Sequence, residues 1–168
     1  MLEEVPDDAP DREIGASGLT LTSPLFGPGD DIPISATCAG ANVFPDLAWT
    51  GVPDNTVELA LSLSDQTDPE EPVLLWLMAG VEPSLTGLEG GTMPVGAFET
   101  LNGHGNPGYG TPCLESLPEG RRDLQFRLHV LIEPSGVAPG GAGDASWDAV
   151  KARSTETASL LARITATG

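Results

Sequence analysis

Residues 60–76, ALSLSDQTDPEEPVLLW, set two apolar runs on either side of an acidic loop punctuated by proline. Val57, Leu59, Leu61 and Leu63 alternate with Glu58, Ala60, Ser62 and Ser64. This is the period-two pattern of a half-buried strand, whose successive side chains point to opposite faces. Pro69 and Pro72 have no N–H to give to a ladder and flank a run of carboxylates, so residues 66–72 read as an exposed loop. Residues 73–78, VLLWLM, are apolar at every position and read as a strand covered on both faces. A polar loop tethered at both ends to core strands is a good place for a site.

Outward from this stretch the same pattern recurs. Leu124, Phe126, Leu128, Val130 and Ile132 alternate with Gln125, Arg127 and His129, an amphipathic strand with one face to the core. Residues 19–22 alternate over a shorter span, and Ser23-Pro24 turns the chain. Residues 37–49, TCAGANVFPDLAW, are too broken by glycine and proline to be regular, and Phe44 and Trp49 are expected to be core. Residues 98–109 form a long Gly/Asn loop, which in a compact domain is more often functional than idle. After a flexible connection at residues 139–143, Asp144 or Ser146 caps a predicted helix. Trp147, Val150, Ser154, Ala158, Leu161 and Ile164 fall on one face of it at helical spacing and pack on a sheet.

Residues 1–18 are acidic and proline-rich with few apolar anchors and read as a mobile arm. Residues 19–168 remain as one domain, long enough to bury its own core. With 21 glycines, 16 prolines and 5% aromatic residues, the composition suits short strands joined by turns, hence a mainly β fold. The formal charge of −18, from 25 acidic and 7 basic residues with Lys151 the only lysine, argues against nucleic acid or anionic membranes as partners. Such an acid excess fits a halophilic, salt-loaded cytoplasm, where screening shrinks to about 3 Å at 1 M salt; the alternative is an ordinary acidic protein kept soluble by its charge. No apolar run is long enough to span a membrane and the N-terminus is acidic, so a cytoplasmic placement without integral membrane association is expected.

Asp65, at the mouth of a strand, can orient an ammonium or accept from a bound acid's hydroxyl; otherwise it caps a turn. Asp68, Glu70 and Glu71 read as solvated loop charges. In PGYGTPC, residues 107–113, Gly108 and Gly110 permit positive φ, so backbone N–H groups can converge on an anion; the other reading is a tight turn with Tyr109 filling core. Arg122 offers a planar donor fork to phosphate or carboxylate, or it pairs with Asp65 and fills the site. His104 and His129 are isolated and the two cysteines lack CxxC spacing, so no metal site is expected. No GxSxG, P-loop or GxGxxG motif occurs and Asp65 lacks an evident acid/base partner, so neither a cofactor nor an enzyme is expected.

LTLTSPLF (residues 19–26), IPISATCAGANVFPDLAWTGVP (32–53), the central stretch, PGYGTPC and the apolar strand after Arg122 together resemble, in order and spacing, the phosphatidylethanolamine-binding protein (PEBP) family, in its bacterial and archaeal Raf-kinase-inhibitor-like branch. The family's usual central motif is DPDAP followed by a strand containing His-Trp. Here Asp65 keeps the first acidic position, Thr67 stands at the second, and Leu75 replaces the histidine before Trp76. A second family histidine aligns with Arg122. The resemblance implies a β-sandwich of antiparallel sheets with Greek-key connections and a helix near the C-terminus, with homodimeric pairing among the arrangements. It implies a non-catalytic binder of a small anionic or phosphorylated ligand, its pocket rebuilt around Asp65, Thr67, Leu75, Gly108, Tyr109, Gly110, Pro112 and Arg122. The rival is a kinase- or protease-inhibitor-like interaction module whose pocket an Asp65–Arg122 pair has closed. The resemblance also brings Cys38 and Cys113 toward one pocket, where a disulfide is one outcome; for an intracellular chain two thiols are expected.

Overall fold

The computed structural model describes residues 12–13, 18–111 and 121–165. The central pair is the one read from residues 60–76: β4 (Glu58–Asp65) runs antiparallel to β5 (Val73–Val81). On its other edge β4 pairs with β8 (Arg121–Leu131), which pairs in turn with β9 (Ser154–Thr165). With β1 (Arg12–Glu13) beyond β9 and β7 (Phe98–Glu99) beyond β5, the six-stranded sheet has the order β1-β9-β8-β4-β5-β7. Facing it is a three-stranded sheet, β2-β3-β6, from Thr20–Thr22, Leu47–Thr50 and Gly87–Leu88. Every ladder is antiparallel, and the chain crosses from β3 to β4 and from β5 through β6 to β7, changing sheet each time.

Alternation decides what each face meets. Leu59, Leu61 and Leu63 of β4 and Phe126, Leu128 and Val130 of β8 point inward, onto Leu21 and Trp49 of the small sheet. Each fully buried side chain of this kind contributes about 1.5–3 kcal/mol. The opposite face is buried too, because the helix α1 (Gly143–Arg153) lays Trp147 and Val150 over Ala60, Leu74, Leu77 and Ala79. The half-buried strand expected for β4 is therefore buried on both faces. Ser62 and Ser64, each 2% exposed, are tolerated there because they are hydrogen-bonded: Ser62 Oγ lies 3.0 Å from His129 Nε2, and Ser64 Oγ accepts from Gln66 Nε2 at 2.7 Å. Val57 falls outside the strand and is half exposed.

Two irregularities bend β5. Leu63 faces Trp76 while Ser64 faces Leu74, which leaves Leu75 as an extra residue, a β-bulge. Leu75 and Trp76 consequently both turn toward the inner core. Farther along, Leu59 faces Val81 but Leu61 faces Met78. Gly80 absorbs this second extra residue at φ 70° and donates its N–H to Glu58 Oε2 at 2.8 Å.

The C-terminal region corrects the sequence reading. The predicted helix stops at Arg153, and Ser154 onward is a strand of twelve residues. Ala158, Leu160, Ala162 and Ile164 bury at a period of two. Residues 154–165 include three threonines and an isoleucine, which favour extended backbone, and the open edge of β8 supplies ladder partners from Arg121 to Leu131. The helix N-cap is Ala142, without a side-chain cap, so neither Asp144 nor Ser146 serves as one; Asp144 in the first turn instead complements the helix dipole. Within the predicted arm, Arg12 and Glu13 pair with Leu160 and Ser159; its residues 1–11 and 14–17 lie outside the described residues.

Candidate functional site

The β5 bulge puts Leu75 beside an aromatic cluster. Trp76 stacks on Phe44 with ring centroids 5.0 Å apart, and meets Tyr109 edge-on at 5.7 Å. Its indole Nε1–H donates to Glu99 Oε2 at 2.8 Å. Tyr109 is fixed by a hydrogen bond from its hydroxyl to Ala36 O at 2.8 Å, and burial pushes its phenol pKa well up. It therefore stays a neutral donor and takes no part in proton transfer at ordinary pH.

Over this floor lies a cavity of about 300 Å³ walled by Asn42, Leu75, Asn102, His104, Tyr109 and Thr111. An adjoining cavity of about 300 Å³ shares Asn42, Pro107 and Tyr109 and adds Phe44, Glu99 and Gly108. Two asparagines hold the walls. Asn42 adopts φ 58°, a left-handed conformation that asparagine tolerates better than most residues, and its Oδ1 accepts from Thr111 N and Oγ1 at 3.2 Å each. Asn102 Oδ1 accepts from His104 N at 2.9 Å and Asn106 N at 3.1 Å, closing the loop on itself.

The predicted site residues separate into two groups. Leu75, Gly108, Tyr109 and Gly110 line these cavities. Asp65, Thr67 and Arg122 gather where β4 ends and β8 begins: Asp65 Oδ1 accepts from Thr67 N at 2.9 Å, Thr67 Oγ1 accepts from Asp123 N at 2.9 Å, and Arg122 Nε lies 3.7 Å from Asp65 Oδ2. Asp65 is thus both turn cap and ion-pair partner, while Arg122 Nε–H is buried without a hydrogen bond. Pro112 lies outside the described residues.

The expected convergence of backbone donors on an anion is not there. Gly108 does take positive φ, 77°, but its N–H donates to Thr100 O and that of Gly110 to Leu75 O, both at 3.3 Å. These amides serve the fold, and what remains for a ligand is side-chain chemistry. Asn42, Asn102 and Asn106 were missed from the sequence. The only signal for the last two was the length of the Gly/Asn loop.

The expectation of two thiols is also overturned: Cys38 is disulfide-bonded, and Cys113, the one other cysteine, lies outside the described residues. The neighbouring contacts give the reason, since Cys38 N donates to Thr111 Oγ1 at 3.1 Å and Tyr109 reaches Ala36, so residues 36–38 run beside residues 109–111. Among the described residues no three His, Cys, Asp or Glu side chains gather as metal ligands, and no helix is long and apolar enough to cross a membrane.

Two facing antiparallel sheets, an outer helix and a cavity over a Trp–Tyr–Phe floor define the class. Residues 22–163 match the family model described as phosphatidylethanolamine-binding protein, and the chain belongs to that family. It is 31% identical over 154 residues to LppC of Mycobacterium tuberculosis, named as a candidate lipoprotein, with 92% of this chain and 76% of that one covered. It is 30% identical over 148 residues to a UPF0098 protein of Methanothermobacter thermautotrophicus, covering 85% and 96%. Its fold is similar to that of CT736 from Chlamydia trachomatis, described as a PEBP homolog (TM-score 0.78, 24% identity, 90% and 100% covered), and to that of YbcL from E. coli, described as a member of the mammalian PEBP family (TM-score 0.78, 22%, 89% and 99%). The antiparallel sandwich with its C-terminal-region helix expected from the sequence is the fold observed.

Proposed function

We propose that the chain is a non-catalytic small-ligand-binding protein of the PEBP type with a rebuilt pocket. The observation that carries this is the open, polar cavity between Leu75, Tyr109 and the Asn42–Thr111 pair. Its wall offers amides, a hydroxyl and His104 rather than a nucleophile with a paired base, which is why binding and not turnover is proposed. The ligand is a small polar molecule bearing a phosphoryl or carboxylate group. The Asp65–Arg122 pair does not line this cavity, so the asparagine amides and the Thr111 hydroxyl are what the ligand's oxygens would meet. The disulfide of Cys38 is not what an intracellular chain is expected to carry; with LppC as a relative, it favours an oxidising compartment.

The 3.7 Å approach of Asp65 and Arg122 favours a second reading, in which the pair closes this end of the site and the protein acts through its surface as an interaction or regulatory module. Thermal unfolding in high chloride, with and without phosphate, phosphoethanolamine and acetate, separates the two. A ligand at about 100 times its dissociation constant adds about 2.7 kcal/mol. Binding predicts a ligand-specific rise that Asn106→Ala abolishes. No rise with any ligand, together with a destabilised Arg122→Ala, would instead make Arg122 a plug.

A further inference from the structure

The outer face of the six-stranded sheet, opposite Leu75 and Tyr109, carries a further cavity of about 240 Å³ between the sheet and α1. Ser62, Ser64, Gln125 and Arg127 line it from β4 and β8, and Trp147 and Lys151 from the helix. Water occupies about 30 Å³ per molecule in the liquid, so the space holds about eight water-sized groups, enough for a small oxyanion together with water.

Three observations point to the sign of its occupant. Trp147 is 8% exposed, and its indole Nε1–H is buried with no hydrogen-bond partner. Buried donors are normally satisfied, and this one belongs to a residue that lines the cavity. Next, two of the chain's seven basic residues line this space and, among the described residues, no carboxylate does, against 25 acidic residues overall. Lys151 Nζ sits 3.8 Å from the Trp147 ring centroid, and its acidic neighbour, Asp148 at 3.6 Å, has a largely exposed side chain. Arg127 Nη2 donates to Gln125 Oε1 at 3.0 Å, which orients the guanidinium on this face. Finally, Ser64 Oγ accepts from Gln66, which leaves its own proton to donate. Behind the wall, burial first and then the charges of Arg127 and Lys151 hold the pKa of His129 down to about 3, a sign of the positive potential on this side of the sheet.

We propose that this outer cavity binds a small oxyanion, a carboxylate or a phosphate, between Arg127 and Lys151, beside the Trp147 indole, whose Nε1–H reports on it. Bulk repulsion from an acidic chain is screened at high salt, whereas these contacts act at hydrogen-bond range and persist. The site is on the other face of the sheet from the Tyr109 cavity, and it does not depend on what that cavity binds.

The test is the Trp147 Nε1–H resonance in 1H–15N spectra, assigned by its loss in Trp147→Phe. It is titrated with acetate, with phosphate and with neutral acetamide at constant ionic strength in sodium chloride. A saturating shift with acetate or phosphate and none with acetamide is expected, and whichever anion saturates identifies the ligand source. Lys151→Met and Arg127→Gln should each raise the midpoint about tenfold or more, the effect of losing one hydrogen bond to a charged group. Arg122→Ala should leave it unchanged. A shift that fails to saturate, that acetamide reproduces, or that survives intact in a folded Lys151→Met overturns the proposal.

Discussion

Taking this protein from pH 7.5 to pH 5 should cost it about 2 kcal/mol through His129 alone. The imidazole is fully buried between strands, with Nε2 3.0 Å from Ser62 Oγ and Nδ1 3.1 Å from Ser154 Oγ. Ser154 Oγ gives its own proton to Val150 O at 2.6 Å, so it accepts from Nδ1–H; Nε2 is then the acceptor of the Ser62 proton, and the ring is neutral. Burial, with Arg127 and Lys151 adding to it, lowers the folded pKa to about 3 against about 6.5 in an unfolded chain. The stabilisation is whole above pH 6.5 and is lost as pH falls toward 3, because only the unfolded state takes up the proton in that window. At pH 5 the unfolded state has gained about 1.5 units of protonation free energy, which at 1.36 kcal/mol per unit is about 2 kcal/mol. Carboxylates titrate nearby, so the quantity to measure is a difference: urea unfolding of the native protein and of His129→Gln, at both pH values and fixed high chloride. Glutamine carries a donor NH2 and an acceptor oxygen, so it offers both roles of the neutral ring, but does not titrate. If both proteins lose equal stability, or if His129 titrates above pH 5.5 in the folded protein, the reasoning fails.

Arg122→Met should destabilise by about 1–3 kcal/mol, because Asp65, 9% exposed, would keep only its bond from Thr67 N; a urea midpoint unmoved relative to the native protein would show that the pair does not hold this end of the sheet. Glu99→Leu leaves the Trp76 indole N–H without its partner and should cost about 1–3 kcal/mol, whereas Glu99→Gln keeps an acceptor and should cost less. Equal melting temperatures for the two variants would contradict this. Reducing the Cys38 disulfide should lower stability by about 2–5 kcal/mol, read as a fall in melting temperature with reductant that a Cys38→Ser variant no longer shows.

Strand β4 and the inner face of β8 were legible because period-two alternation is a local signal, and Leu59 to Leu63 and Leu124 to Val130 carry it without interruption; β5 was legible because Val73 to Met78 is apolar throughout. The end of α1 was not. Residues 154–164 place apolar side chains at spacings compatible with both 3.6 and 2, and the choice is made by the open edge of β8, which is distant in sequence. The bulge at Leu75 was hidden for a similar reason, since an extra residue shows only against the register of β4. So were the walls of the Tyr109 cavity, which Asn42 and Asn102 supply from separate loops.

What alternation did contain is the division of the cations along β8. Arg122 has the parity of Leu124 and Phe126 and so turns inward, where Asp65 shares the parity of Leu61 and Leu63; Arg127 has the parity of Gln125 and His129 and turns outward. The two arginines therefore cannot serve one site. Arg122 acts at the rim of the sandwich against Asp65, and Arg127 acts under the helix with Lys151, where it lowers the pKa of His129. An oxyanion held by Arg127 and Lys151 would offset the charges that disfavour protonation of that ring. Saturating acetate or phosphate should accordingly shrink the loss of stability between pH 7.5 and pH 5 in the native protein, and leave it unchanged in Lys151→Met.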